Sequence, residues 1–161
     1  MKTLVVYYSL EGNTELAAKT AAKTAGADLL RLVPKESKAP RGLTRYLWGG
    51  RAAISGSKPD LIPLQLNPED YDTLIVGTPV WAWTFAPAIN TFFSMFDFTG
   101  KRVALFCCHG GQPGKTLEKM KKAMEGASFI GETDLRDPLK HQTEEQLHNL
   151  RRWVAGVLGK A

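Results

Sequence analysis

The sequence predicts an α/β fold, a parallel sheet covered on both faces by helices. Three observations predict it: short β-branched and aromatic runs recur along the chain, helical patterns separate them, and loops that are polar, aromatic and glycine-rich in turn follow the first, third and fourth runs. Alternation of this kind implies right-handed crossovers, each of which places its helix against the sheet. At 161 residues the chain matches one compact domain. A hydrophobic share of 43% with 23% charged residues suits a buried core and excludes a disordered chain.

The elements follow in order. Residues 3 to 8 (Thr-Leu-Val-Val-Tyr-Tyr) read as a first strand, Ser9 to Thr14 as a tight loop, and alanine-rich Glu15 to Ala25 as a helix stopped by Gly26. Ala27 to Val33 reads as a second strand, apolar enough for burial on both faces. Residues 34 to 66 carry prolines at 34, 40, 59 and 63 and glycines at 42, 49, 50 and 56, and are expected to form an irregular insertion in which Leu43 to Ile54 suits a short helix. Thr73 to Gly77 is the third strand, Thr78 to Phe85 an aromatic loop, and a helix opens near Pro87 with Ile89, Phe92, Phe93 and Phe96 inward. Arg102 to Cys108 is the fourth strand and His109 to Gly114 a glycine-rich loop, followed by a helix marked by Leu117, Met120 and Met124 with lysines outside. Ala127 to Thr133 gives a fifth strand. Thr143 and Gln146 have the spacing of a capping box, opening a last helix whose inner face is Leu147, Leu150, Val154, Val157 and Leu158. The whole is expected to be one domain over residues 1–161.

Composition narrows the function. The longest apolar runs are far below the roughly 20 residues that span a bilayer, and the N-terminus lacks a signal layout, so no membrane association and a cytoplasmic location are expected. Cys107 and Cys108 are neighbours that point to opposite faces of a strand, so they are expected to stay reduced. Net charge is +5, all of it from residues 31 to 60, where seven Lys or Arg face two acids. A solvated basic face or a dock for an anionic partner is the expectation there, and no nucleic-acid recognition module accompanies it.

In open parallel sheets ligands bind beyond the carboxyl ends of the strands where strand order reverses, between strands one and three for the order 2-1-3-4-5. The loop after strand one, Ser9-Leu10-Glu11-Gly12-Asn13-Thr14, places hydroxyls, an amide and a glycine before a helix whose first N–H groups lack partners, an arrangement suited to a phosphate. It has no lysine, which excludes a nucleoside triphosphate loop there, and an ordinary capped turn is the plainer alternative. After strand three, Thr78-Pro79-Val80-Trp81-Ala82-Trp83 offers two indoles for stacking on a planar ring, although aromatics at a strand end also serve as plain core. After strand four, Cys108-His109-Gly110-Gly111 offers backbone to the edge of a flat ring. His109 has no nucleophile, carboxylate or metal-ligand spacing beside it in sequence, so no catalytic residue and no metal site is assigned. His109 to Thr116 narrowly misses a nucleotide-binding pattern, with His109 where the first glycine should stand.

Tyr8-Ser9-Leu10-Glu11-Gly12-Asn13-Thr14, together with Asp70-Tyr71-Asp72 leading into Gly77-Thr78-Pro79-Val80-Trp81, resembles the flavodoxin-like family of flavin mononucleotide (FMN) proteins over nearly the whole chain. The resemblance implies a three-layer sandwich with a five-stranded parallel sheet of order 2-1-3-4-5. It implies that Ser9 to Thr14 hold the FMN phosphate, that Thr78, Pro79, Val80, Trp81, Ala82 and Trp83 flank the isoalloxazine, and that Cys108, His109, Gly110 and Gly111 border its pyrimidine side or other face. Three departures stand out: Glu11 replaces a loop hydroxyl, the fourth-strand loop lacks the tyrosine common in electron carriers, and Tyr46-Leu47-Trp48-Gly49-Gly50-Arg51 resembles a segment of one subgroup placed over the cofactor edge. The expected function is an FMN-binding electron carrier, with an FMN-dependent NAD(P)H or quinone oxidoreductase as the alternative and a non-redox phospholigand domain as a third. Its expected partner is a redox protein or a small donor or acceptor, with anionic ones favoured by the basic segment.

Overall fold

A computed structural model describes residues 1–36 and 44–159, the side chains of residues 44–48 excepted. Five parallel strands, β1 (Thr3–Tyr7), β2 (Asp28–Arg31), β3 (Thr73–Trp81), β5 (Arg102–His109) and β6 (Ser128–Arg136), lie in the order β2-β1-β3-β5-β6, and a two-residue strand β4 (Thr84–Phe85) pairs antiparallel with the end of β3. Leaving the hairpin strand aside, this is the expected 2-1-3-4-5 order. The helices are α1 (Asn13–Ala25), α2 (Thr44–Ile54), α3 (Pro87–Met95), α4 (Thr116–Ala123) and α5 (Thr143–Val157).

The period of two along the strands sorts the core into two layers. Leu4, Val6, Leu74, Val76, Val103 and Leu105 pack with Ile89 and Phe92 of α3 and Met120 of α4. Val5, Tyr7, Ile75, Ala104, Phe106 and Cys108 pack instead with Ala17, Ala18 and Ala21 of α1 and Leu147, Leu150 and Val154 of α5. Between the central strands Phe106 lies over Gly77, where an added Cβ would come within 2.0 Å of the ring. The same contact denies that strand end to the acid that a magnesium-dependent hydrolase or receiver domain would need.

Four sequence expectations change in detail. β2 is shorter than expected and only Leu30 of its four residues is buried, because it is an edge strand paired on one side alone. Thr78 to Phe85 is a hairpin with Ala82 and Trp83 at its turn, so β3 runs on to Trp81. The last strand extends to Arg136. Thr143 and Gln146 form no capping box: Gln142 stands at the N-cap in left-handed conformation without a side-chain cap. Gln146 turns outward, accepting from the Arg136 N–H at 2.7 Å and donating to the carbonyls of Arg136 at 2.9 Å and His141 at 2.6 Å. It ties the end of β6 to the start of α5.

The insertion is closed at its base. Pro34 bridges Leu61, the Lys35 N–H donates to Asp60 O at 2.8 Å, and the Ile62 N–H donates to Val33 O at 2.9 Å. From α3, Asn90 Nδ2 donates to Gly56 O at 2.8 Å and Thr91 Oγ1 to Pro59 O at 2.7 Å, which fixes the returning limb. Helix α2 takes up most of the stretch expected to be helical. Residues 37–43 and the side chains of Tyr46, Leu47 and Trp48 lie outside the described residues. No helix among the described residues is long and apolar enough to cross a membrane.

Candidate functional site

The three loops singled out in the sequence leave the carboxyl ends of adjacent strands β1, β3 and β5, with Tyr7 level with Gly77, and Gly77 level with Phe106. At the first of them, Gly12 has φ 98°, a left-handed conformation open to glycine, and it turns the chain into α1. No side chain caps that helix, so its first-turn N–H groups and the positive end of its dipole face outward. Ser9 is buried; its Oγ accepts from the Gly12 N–H at 3.1 Å and keeps its own proton to donate. Thr14 is buried in the first turn, and its Oγ1 forms no hydrogen bond. The Cys108 thiol, a weak acceptor, lies beside it.

These features fit the phosphate that the resemblance implies: an uncapped helix start, a glycine turn and two buried hydroxyls with protons to give. Glu11 is exposed, so the departure from a hydroxyl at that place leaves its carboxylate at the solvent side of the loop. Asn13 is committed elsewhere, donating through Nδ2 to Asp137 Oδ1 at 3.4 Å and accepting at Oδ1 from the Leu139 N–H at 3.0 Å. Leu139 also sits over Gly12, where an added Cβ would lie 3.3 Å from its Cδ1. The segment after β6 is thus a wall of the loop. Asp137 anchors it through an N–H to His109 O bond of 2.9 Å, and its carboxylate lies 3.3 Å from the point a Cβ on Gly110 would occupy.

Thr78 spends its hydroxyl inside the hairpin, accepting from the Ala86 N–H at 3.0 Å and donating to Pro79 O at 2.9 Å, and so sets the base of the turn that carries the indoles. The two indoles diverge. Trp81 packs edge-on with Tyr8, with ring centroids 5.6 Å apart at 88°, and against Gly49 of α2, where an added Cβ would come 3.1 Å from the ring. Trp83 is 68% exposed and leans on Gly114 of the β5 loop, where an added Cβ would lie 2.7 Å from Cδ1. Both Ala82 and Trp83 have positive φ, 48° and 58°. Two left-handed residues in succession match the twist of a two-residue hairpin but are uncommon without glycine or asparagine.

Cys108 is buried on the α1 side of β5, and burial pushes its thiol up to about 12; burial likewise raises Cys107, and both are free. His109 lies on the other side, with Nε2 2.7 Å from Asp134 Oδ2 and Nδ1 buried without a partner. The carboxylate partner that the sequence left unassigned therefore comes from β6, a neighbour no local spacing reveals. Gly110 and Gly111 follow at the strand end, both exposed, Gly110 against the Asp137 carboxylate and Gly111 with open space around it. Arg31, at the end of β2, is a further residue missed: it donates to Ser9 O and reaches Glu15 Oε2, each at 3.4 Å. Asp137 and Leu139 were missed for the same reason, since Asp137-Pro138 signals a turn but not the loop it packs against.

A cavity of about 510 Å³ opens beside the first loop, between Tyr8, Ser9, Leu10, Arg31, Trp81 and Pro87 among its lining. Its walls are mainly apolar. Among the described residues no group of three or more side chains could hold a metal ion.

The chain resembles known proteins over its length. The family model for flavodoxin matches residues 2–156. Among solved structures, a Bacteroides uniformis protein described as a candidate flavoprotein aligns at a TM-score of 0.77 with 25% identity, covering 95% of this chain and 97% of that one. A flavoprotein from Lactobacillus acidophilus, solved in complex with FMN, aligns at 0.71 with 24% identity over 83% of this chain and 92% of its own. Flavodoxin 1 from Bacillus cereus aligns at 0.60 with 18% identity over 100% and 99%. No protein with a curated description matches the sequence. With the parallel order β2-β1-β3-β5-β6, the glycine turn before α1 and a family match over residues 2–156, this chain belongs to the flavodoxin family.

Proposed function

We propose that this protein binds FMN at the carboxyl ends of β1, β3 and β5 and uses it to pass electrons between other molecules. The observation that carries the reading is the buried Thr14 hydroxyl at the uncapped start of α1, which forms no hydrogen bond to oxygen or nitrogen among the described residues and has the weakly accepting Cys108 thiol beside it, where a phosphate would supply a strong acceptor. The Lactobacillus acidophilus flavoprotein of the same fold is described in complex with FMN, which supports the choice of ligand. When bound, the flavin supplies the redox chemistry. The chain supplies position: Ser9, Gly12 and Thr14 hold the phosphate, Trp81 and Trp83 bound the ring system, and Gly110 and Gly111 leave room for its polar edge. Burial keeps the Cys108 thiol beside the loop protonated, so it adds no charge against a dianion.

Within that reading, an electron carrier and a small-molecule oxidoreductase differ in what donates. The cavity of about 510 Å³ beside Trp81 favours the second as an alternative, since it has room for a ring-sized substrate, an NAD(P)H nicotinamide or a quinone. The test is to mix purified protein with FMN, remove the excess and record the visible spectrum. Flavin absorption that stays with the protein supports the reading; a colourless protein overturns it. Adding reduced nicotinamide to the loaded protein then separates the two: bleaching without any second protein marks an oxidoreductase, and persistence of the oxidised spectrum marks a carrier.

A further inference from the structure

The hairpin that carries Trp83 is held in a strained shape whose outcome is an exposed indole, and the surface next to it is a groove rather than a plane. Two residues at positive φ are an observed strain, of the sort kept where something else requires it. Here the cost is met by the Gly114 contact and by Lys119 Nζ, which donates to Trp83 O at 3.2 Å. Beside the hairpin, the end of α2, β4, α3 and α4 enclose a groove of about 500 Å³. Ile54, Ala53, Phe85 and Pro87 supply its apolar wall, and Ile54 is 73% exposed. Its two charged lining residues, Lys119 and Lys122, are both cationic. Lys122 meets Glu118 at 3.0 Å, but this pair on the solvent face is screened and leaves the ammonium available.

We propose that this groove, with Trp83 at its edge, is the docking site for an acidic redox protein that exchanges electrons with the flavin. The proposal rests on the FMN reading above. An apolar side chain of the partner enters between Ile54 and Phe85 while carboxylates around it meet Lys119 and Lys122, the pattern of an apolar centre with a charged rim. Charge decides the occupant. A second copy of this chain brings a net charge of +5 and the same lysines, so like charges would meet. Trp83 leans on the loop after β5, so a partner seated here lies beside the strand ends proposed to hold the flavin.

The probe is an acidic plant-type ferredoxin, titrated into FMN-loaded protein by calorimetry at low and moderate salt. Binding is expected to weaken with salt, and Ile54→Asp and Lys122→Glu are each expected to weaken it at least fivefold while FMN loading stays unchanged. Lys23→Glu, on the opposite helix layer and matched in charge, is expected to leave affinity within twofold. Equal losses in Lys23→Glu and Lys122→Glu, or no binding to the ferredoxin by loaded protein, would overturn the docking site while leaving the cofactor reading intact. Cosedimentation with phosphatidylserine vesicles that Lys122→Glu abolishes, with ferredoxin affinity unaltered, would overturn it in favour of a membrane. Failure of FMN to load is a separate result, which sinks the underlying reading instead.

Discussion

Thr14 shows how a single side chain can carry a functional argument. Its hydroxyl is buried and unbonded, and a buried polar group without a partner costs free energy unless a ligand supplies one. Thr14→Val keeps the shape and removes the donor, so FMN affinity is expected to fall by about 1 kcal/mol or more, read by quenching of flavin fluorescence. Stability without ligand should hold or rise. Cys107 and Cys108 are buried, and both are expected to react with a thiol reagent roughly a hundredfold more slowly in native protein than in denaturant. The Cys108 thiol, raised from 9.0 to about 12 by burial, also fixes a sign. The folded chain favours the neutral form, so that contribution is whole below about 9 and is lost as pH rises from there toward 12. Alkaline denaturation curves of the native protein and Cys108→Ala should diverge in that window, with the variant less pH-sensitive. Ser9, Gly12 and Thr14 were legible in the sequence because a helix start advertises itself locally. Arg31, Asp134, Asp137 and Leu139 were not, because each reaches the site from another strand end or loop.

Elements were legible where periodicity was strong and misread where neighbours set the outcome. The two-layer core follows from alternation along β1, β3 and β5, and the alanine face of α1 from its composition. The hairpin β3–β4 was missed because its turn, Ala82-Trp83, lacks the glycine or asparagine that marks such turns. Packing against Gly114 and the Lys119 bond overrides the local preference. Ala82→Gly should therefore stabilise the protein by about 1 kcal/mol, seen as a higher urea midpoint with unchanged slope. Thr143 and Gln146 had the right spacing for a capping box, yet the open edge of β6 offered Gln146 backbone partners instead. Gln146→Ala loses its bonds to Arg136 and His141 and is expected to cost about 1 kcal/mol, with faster amide exchange at the start of α5.

At the scale of the molecule, strand order decides where chemistry can occur. The reversal between β1 and β3 brings three loops together at one edge, and the family match over residues 2–156 agrees with what that edge suggests. The overall architecture was readable from the chain because strand and helix patterns alternate along it, right-handed crossovers leave few ways to arrange them, and the family resemblance supplied the strand order. The insertion was readable as an excursion but not in its closure, which depends on Pro34 meeting Leu61 and on α3 side chains holding the return. Its charge remains the largest asymmetry of the sequence, with seven Lys or Arg against two acids over residues 31–60. The measurement that tests the central claim most directly compares FMN with riboflavin, which has the same ring system and no phosphate, in parallel fluorescence titrations of the purified protein. A phosphate held by Ser9, Gly12, Thr14 and the start of α1 requires FMN to bind at least about tenfold more tightly, a difference of about 1.4 kcal/mol. Equal affinities, or binding of neither flavin, would contradict it.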